Sequence, residues 1–186
     1  MQSFCNISLL QKNANIIKMT QSEIDLLITC SKIITTKRLI LRTVDRSLHG
    51  SLDAESIIEG KIIKFKIFFR QSIKLEEKFS VGLRFFSDDL SEDINLARYN
   101  GIHEHTNKHT NGEIFNTYHK HFATEEAILK GVKAEHNAKL ADYVNFKGAI
   151  IRFFKELNFE NYQKFLQPFG IIEHESDNLP QLDFGT

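Results

Sequence analysis

The segment at residues 61–73, KIIKFKIFFRQSI, constrains the fold more than any other stretch, because its side chains alternate in a two-residue pattern. Successive side chains of a strand point to opposite faces. Ile63, Phe65, Ile67 and Phe69 therefore share one face. The other face carries Lys64, Lys66, Phe68 and Arg70. The pattern predicts a long strand with one face in a hydrophobic core.

Further segments, together with this strand, indicate the fold class. FSVGLRFF at 79–86 alternates in the same way and favours an antiparallel sheet. TQSE at 20–23 is typical of a helix N-terminus and predicts a helix to about residue 34. Spaced apolar residues predict a C-terminal helix over 146–165, broken near Asn158. We expect an α+β domain: an antiparallel sheet of five or six strands, with an N-terminal helix and a C-terminal helix packed on one face.

Length and composition predict one domain, at residues 20–172 of the 186. Residues 1–19 predict a weakly structured arm, and the acidic residues 173–186 predict a flexible tail. The chain has no apolar run of about 18 residues and two cysteines without a disulfide pattern. We expect a cytoplasmic protein with no membrane partner. The sequence does not indicate an oligomeric state.

Charge is unevenly distributed along a chain whose net charge is zero. Residues 1–86 carry a net positive charge, and the remainder carries an equal negative charge. The basic residues of 61–84 are typical of a solvated sheet face, and they also permit a surface for nucleic acid.

The segment at residues 98–122, RYNGIHEHTNKHTNGEIFNTYHKHF, contains five of the chain's eight histidines. Two pairs have the form H-x-H, so each pair shares a face if its segment is extended. The Asn- and Gly-rich link between them predicts a turn that returns the chain on itself. We expect His105, His119 and His121 to lie together at the surface.

Such a cluster supports three interpretations. Neutral imidazoles bind transition metals, and the ligand set would be His103, His105, His119 and His121. Imidazoles also work as an acid and base pair, which needs no cofactor. The third interpretation is an inert, solvated hairpin.

These segments together resemble a family of uncharacterised bacterial and phage proteins, over about residues 20–170. Its signature has the rough form R…G…H-x-N…G…H-x-H, and the matching residues here are Arg98, Gly101, His105, Asn107, Gly112, His119 and His121. The H-x-N element occurs a second time, as HTN at 109–111, so either copy is a candidate equivalent. The resemblance implies a site that includes Asn107, and it brings no established function.

About 25 residues are also similar to the TumE-type toxins of toxin–antitoxin pairs, whose motif is approximately R-Y-D…H-H…H-K-H. The matching segments here are RYN at 98–100 and HKH at 119–121. Asn100 stands where that motif has an aspartate, which removes a carboxylate. This resemblance implies a ribonuclease-like or nucleic-acid-directed toxin, with RNA and a protein antitoxin as partners.

A toxin-like, metal-independent ribonuclease is therefore our first functional hypothesis. Its predicted catalytic residues are His119, His121, His105 and Arg98. Its predicted substrate-binding residues are Lys120, Tyr99, Tyr118, His103 and Asn107.

Two alternatives stay open. A non-enzymatic protein of phage or mobile-element origin would inhibit a host defence protein, with the acidic segments at 87–93 and 173–186 mimicking nucleic acid. A metal-binding histidine-cluster protein is the second alternative.

Overall fold

The computed structural model describes residues 19–86, 93–108 and 111–171. Three α-helices form within these ranges: α1 (Gln21–Thr29), α2 (Glu125–Leu129) and α3 (Phe146–Glu156). The strands are β1 (Ile33–Ile34), β2 (Arg42–Val44), β3 (Ser47–Ile58), β4 (Lys61–Ser72), β5 (Phe79–Phe86), β6 (Ile94–Asn100), β7 (His105–Thr106), β8 (Ile114–Phe115), β9 (His119–Phe122) and β10 (Ala138–Leu140). Two 3-10 turns, Tyr162–Phe165 and Gln167–Phe169, follow α3.

Eight strands form one antiparallel sheet in the order β1-β3-β4-β5-β6-β9-β10, with β2 also paired to β3. The α+β class and the antiparallel sheet are thus confirmed. The described residues hold eight strands in this sheet, where five or six were predicted. The additional strands β1, β2 and β10 have only two or three residues each, which is too short for an alternating pattern to reveal.

Strands β3 and β4 have 12 residues each and form a long hairpin. Its register runs without interruption from Ser47 opposite Ser72 to Ile58 opposite Lys61. Glu59 and Gly60 connect the strands with positive φ angles of 50° and 76°, which is the conformation of a tight two-residue hairpin turn. The predicted strand at 61–73 is therefore present as β4.

One core joins the buried sheet face to the helices. Phe65, Ile67 and Phe69 of β4 are buried in it, whereas Ile63 is only partly buried. The C-terminal helix completes the core with aromatic contacts, Phe154 to Phe69 at 6.2 Å and Phe153 to Tyr99 at 5.4 Å between ring centroids. Helix α1 adds Ile24, Leu27 and Ile28.

The N-terminal helix is shorter than predicted, and a buried lysine caps its C-terminal end. The predicted capping box of Thr20 and Glu23 is present, and α1 stops at Thr29. The Lys32 ammonium donates to the carbonyl oxygens of Ile28, Cys30 and Leu157 at 2.8, 2.8 and 3.1 Å. These carbonyls lie at the ends of α1 and α3, where helical carbonyl oxygens lack intrahelical partners.

The C-terminal helix ends close to its predicted break. Helix α3 stops at Glu156, and Asn158 adopts a positive φ of 56° that an α-helix does not continue through. The Asn158 carbonyl oxygen then accepts from the Lys32 backbone N–H at 2.9 Å. The two helix ends therefore meet around Lys32.

Several predicted features lie outside the described residues. The predicted tail at 173–186, nearly all of the predicted arm at 1–19 and most of the acidic segment at 87–93 belong to this group. Among the described residues, no helix is long and apolar enough to cross a lipid bilayer.

Replacing Lys32 with Met should lower the free energy of unfolding by about 2–4 kcal/mol, since buried carbonyl oxygens would lose their donor. Lys37→Met is the matched control, because Lys37 is exposed, and we expect it to change stability by less than about 0.5 kcal/mol. Urea denaturation measures both. Equal stabilities of the two variants would mean that Lys32 does not join the helix ends.

Truncating Phe153 to Ala should cost about 3–5 kcal/mol, because its ring is fully buried between the sheet and α3. The same urea titration tests it. A loss below about 1 kcal/mol would contradict the described core.

Candidate functional site

Strands β6 and β9 pair in a register that brings the candidate site together. Arg98 lies opposite His121, and Asn100 lies opposite His119. Directly opposed residues of an antiparallel pair project from the same face, so these four side chains share the sheet face that lies opposite the core. The sequence itself therefore positions the site, through the alternation of its two strands.

The chain between these strands folds back across that face. Gly101 begins the return, at a place where an added Cβ would lie 1.8 Å from the Glu77 carbonyl oxygen. Only glycine fits this close approach of two backbones. The returning segment then forms the small β7–β8 hairpin, in which His105 lies opposite Phe115.

The two H-x-H pairs converge as the sequence predicts. Ring centroids lie 4.6 Å apart for His103 and His119, and 4.6 Å apart for His105 and His121. His105 also lies 5.7 Å from His119. A fifth imidazole, His136 from the loop before β10, lies 5.6 Å from His105 and was not predicted.

The cluster has a buried inner layer, which corrects the prediction that all three central histidines lie at the surface. His119 and His121 have 0% exposure, because the returning segment and the loop at 133–137 cover them. His103 is exposed and His105 is half-buried. Of the four histidines in the predicted ligand set, the outer pair is therefore the accessible one.

A hydrogen-bond chain fixes His119 in its neutral form. Its Nδ1 donates to the Thr117 carbonyl oxygen at 2.7 Å, so Nε2 is the acceptor and faces the Asn100 amide at 3.4 Å. The Ser80 hydroxyl donates to Asn100 Oδ1 at 2.7 Å, which orients that amide. Burial, more than any neighbouring charge, lowers the pKa of His119 to about 4.

His121 is the most strongly perturbed group of the cluster. Burial, followed by the charge of Arg98, lowers its pKa to about 2. Its ring nitrogens make no hydrogen bond of regular geometry with a described residue, and a weaker contact with the His136 backbone acts to raise its pKa. Full burial of an imidazole with so little hydrogen bonding is uncommon, so His121 is a candidate member of a functional site.

A buried carboxylate, Glu135, balances Arg98 and was missed by the sequence analysis. Glu135 is 2% exposed, and its Oε1 lies 3.7 Å from Arg98 Nη2. The Asn95 amide also donates to this oxygen at 3.2 Å, while Asn95 Oδ1 accepts from Arg84 Nε at 3.0 Å. One sequence signal pointed to Glu135: an arginine on a covered strand face needs a carboxylate partner nearby.

Asn107 has a positioning role and lies buried. Its amide donates to the Ala138 carbonyl oxygen at 3.1 Å, and its Oδ1 accepts from the Ala138 N–H at 2.8 Å. The side chain thereby imitates a neighbouring strand and holds the returning segment against β10. His105 Nε2 lies 3.2 Å from the same Oδ1 and 3.0 Å from the His136 carbonyl oxygen, which leaves Nδ1 as the outward nitrogen of His105.

Three of the predicted substrate-binding residues lie on the opposite face of the sheet. Tyr99 is fully buried in the core, and Tyr118 stacks on Phe79 at 6.0 Å. The Lys120 ammonium binds Asp142 at 3.0 Å and Glu156 at 3.1 Å. The alternation that brings His119 and His121 together necessarily turns Lys120 away from them.

Tyr118 also lines a separate pocket of about 610 Å³, at the edge of the core beside Phe146 and Phe169. This pocket lies on the core side of the sheet. It is therefore distinct from the histidine cluster.

The metal-binding alternative lacks a prepared ligand set. Within residues 19–86, 93–108 and 111–171, no three His, Cys, Asp or Glu side chains are arranged to hold an ion. The four histidines of the predicted set lie close together, and two of them are oriented by hydrogen bonds to backbone carbonyl oxygens, His103 to Gly101 and His119 to Thr117.

Acid should destabilise the fold through its inner histidines. Both have a folded pKa below the unfolded value of about 6.5, so the unfolded chain binds more protons and stability falls with pH below 6.5. Near pH 5 the two groups together should contribute a slope of about 2.7 kcal/mol per pH unit. Denaturation at several pH values measures this slope.

His121→Leu should reduce that slope by about 1.4 kcal/mol per pH unit, the share of one proton. His49→Gln is the matched control, because His49 lies on β3, three strands from β6 in the sheet. A slope in His121→Leu equal to that of the control would contradict a neutral, buried His121.

Comparisons with known proteins gave no template for this site. Neither protein-family models, nor curated proteins, nor solved structures gave a match. The chemistry assigned to the cluster therefore rests on its own geometry.

Proposed function

We propose that this chain is a toxin-like enzyme that cleaves RNA by metal-independent acid–base chemistry at the histidine cluster. The observation that carries the proposal is the layered arrangement, in which His103 and His105 lie over a neutral, buried His119. Two neighbouring imidazoles can serve a metal-free ribonuclease, one as base and one as acid.

His103 is the better candidate for the base. Its Nδ1 lies 3.2 Å from the Gly101 carbonyl oxygen, which leaves Nε2 as the outward acceptor. Partial burial lowers the pKa of His103, so its neutral form predominates at pH 7. A neutral imidazole is the form that accepts the proton of a ribose 2′-hydroxyl.

His105 is then the candidate acid, acting from Nδ1. In the proposed step, His103 takes the 2′-hydroxyl proton and the 2′-oxygen forms a bond to phosphorus. The bond between phosphorus and the 5′-oxygen breaks, and His105 in its cationic form donates a proton to that oxygen. The products are a 2′,3′-cyclic phosphate and a free 5′-hydroxyl group.

Arg98 is the candidate for stabilising the negative charge that develops on the phosphate. Its side chain is 26% exposed beside the cluster, and its Nε makes no hydrogen bond with a described residue. A guanidinium donates to phosphate oxygens in a fixed geometry. Glu135 holds this guanidinium in place.

His119 and His121 take different roles here from those predicted from the sequence. A group with 0% exposure does not reach a phosphodiester, and a pKa of about 4 or 2 leaves it without a proton to donate at pH 7. In this proposal they support the outer pair, with His119 in contact with both outer rings. The proposed biological setting is a toxin–antitoxin pair, whose antitoxin would be the protein partner.

Purified protein should cleave unstructured RNA in the presence of a chelator, leaving cyclic phosphate ends. His103→Ala or His105→Ala should each reduce the rate about 10²–10⁴-fold, the usual contribution of a general acid or base. The rate should fall on the acid side, at a pH below the ordinary imidazole value of about 6.5, because the base must be neutral and its pKa is lowered. Arg152→Ala, on α3 and therefore on the opposite side of the sheet, is the control.

Expression in a bacterial host should halt growth, and His103→Ala should restore it. Activity that disappears with chelator and returns with Zn²⁺ would make the histidines metal ligands instead. No cleavage of any RNA, together with normal growth, would favour the protein that inhibits a host defence system.

A further inference from the structure

The sheet face beside the histidine cluster carries a row of side chains that leads directly into it. Phe68 of β4 lies opposite Gly82 of β5, Gly82 lies opposite Arg98, and Arg98 lies opposite His121. Directly opposed residues share a face, and neighbouring strands lie about 4.8 Å apart. The row therefore spans about 14 Å from an aromatic ring to the cluster.

Glycine in the middle of this row lets the aromatic ring lean towards the site. A Cβ added to Gly82 would lie 2.1 Å from the Phe68 Cζ atom, so the ring occupies the space where a side chain would stand. The Arg84 guanidinium lies over the same ring, 5.0 Å from its centroid. Phe68 and Arg84 are both half-buried, so part of this aromatic–guanidinium pair is exposed on the sheet face away from the core.

A second row of polar and basic side chains runs parallel to the first. His49 lies opposite Arg70, Arg70 opposite Ser80, Ser80 opposite Asn100, and Asn100 opposite His119. Arg70 is exposed, and no described residue forms an ion pair with it. Both rows therefore end at the inner histidines.

Positive charge exceeds negative charge on this face. Its basic side chains on β4 and β5 are Lys64, Lys66, Arg70 and Arg84, and its acidic ones on β3 are Asp53 and Glu55. Asp53 lies 3.8 Å from Lys66, and both side chains are largely exposed. This weak surface pair leaves the excess charge of the face intact.

We infer that this face, formed by Lys66, Phe68, Arg70 and Arg84 and here called the sheet lane, binds single-stranded RNA and delivers it to the histidine cluster. The inference rests on the proposed function and specifies its substrate. Basic side chains neutralise the phosphates, while an aromatic ring and a guanidinium plane stack on unpaired bases. In a duplex the bases are stacked on one another, so the lane favours a single strand.

Binding can be measured apart from cleavage with a fluorescent 2′-O-methyl RNA of 12 nucleotides, which lacks the attacking hydroxyl. Phe68→Leu should weaken binding of the single strand about 5- to 100-fold, the effect of losing one base–aromatic stack. Arg70→Ser should reduce the slope of log affinity against log salt by about 0.7, the value for one phosphate contact in a single strand. Thermal unfolding of each variant checks that the fold is intact.

Arg152→Ser is the control, since Arg152 is also an exposed arginine and lies on α3, on the opposite side of the sheet. It should leave both the affinity and the salt slope unchanged. If Arg70→Ser and Phe68→Leu bind the single-stranded RNA with the affinity of the control, the sheet lane does not bind RNA. Tighter binding of a duplex of the same sequence would overturn its preference for single strands.

The same variants test RNA binding by the sheet lane independently of the proposed ribonuclease activity. If both lane variants bind RNA like the control while His103→Ala abolishes cleavage, the lane is wrong and the ribonuclease stands. If lane variants lose binding but no RNA is ever cleaved, the lane stands as an RNA-binding surface and the ribonuclease is wrong. A dinucleotide substrate, too short to reach Phe68, should be cleaved by Phe68→Leu at the wild-type rate.

Discussion

The alternation of side chains along β6 and β9 is the constraint on which both the core and the candidate site depend. One face of each strand contacts the core or lies on the core side. The other face carries an arginine and an amide on β6, and two imidazoles on β9. Tyr99 stands between Arg98 and Asn100, and Lys120 stands between His119 and His121. A slip of one residue in either strand would therefore exchange the core and the site, so packing of Tyr99 against Phe153 fixes the register of the histidines as well.

Desolvation is the second determinant of the site. The returning segment covers His119 and His121 and keeps both imidazoles neutral at ordinary pH. Neutral inner rings allow outer rings to approach within 4.6 Å without repulsion between charges. The arrangement thus places an uncharged layer between the strongly basic Arg98 and any outer imidazole that becomes protonated.

The sequence predicted those features that follow from local periodicity. The alternating strands β4 and β5, the capping box at Thr20 and the break near Asn158 all depend on residues close in the chain. Burial of His119 and His121 depends instead on a segment that crosses the sheet, and no periodicity encodes that crossing. Glu135 was missed for the same reason, because its partner Arg98 lies 37 positions away. The same alternation places Lys120 and Tyr99 on the opposite face from the histidine cluster.

The three carbonyl oxygens gathered by Lys32 have a consequence for the order of events in folding. Two of them belong to the end of α1, and the third comes from Leu157, 125 residues after Lys32 in the chain. Contacts of such sequence separation form late, because a long loop must close before they contribute. On a ribosome, the Lys32 ammonium therefore gains its third acceptor only after Leu157 has been synthesised, when every strand of the sheet is already part of the chain.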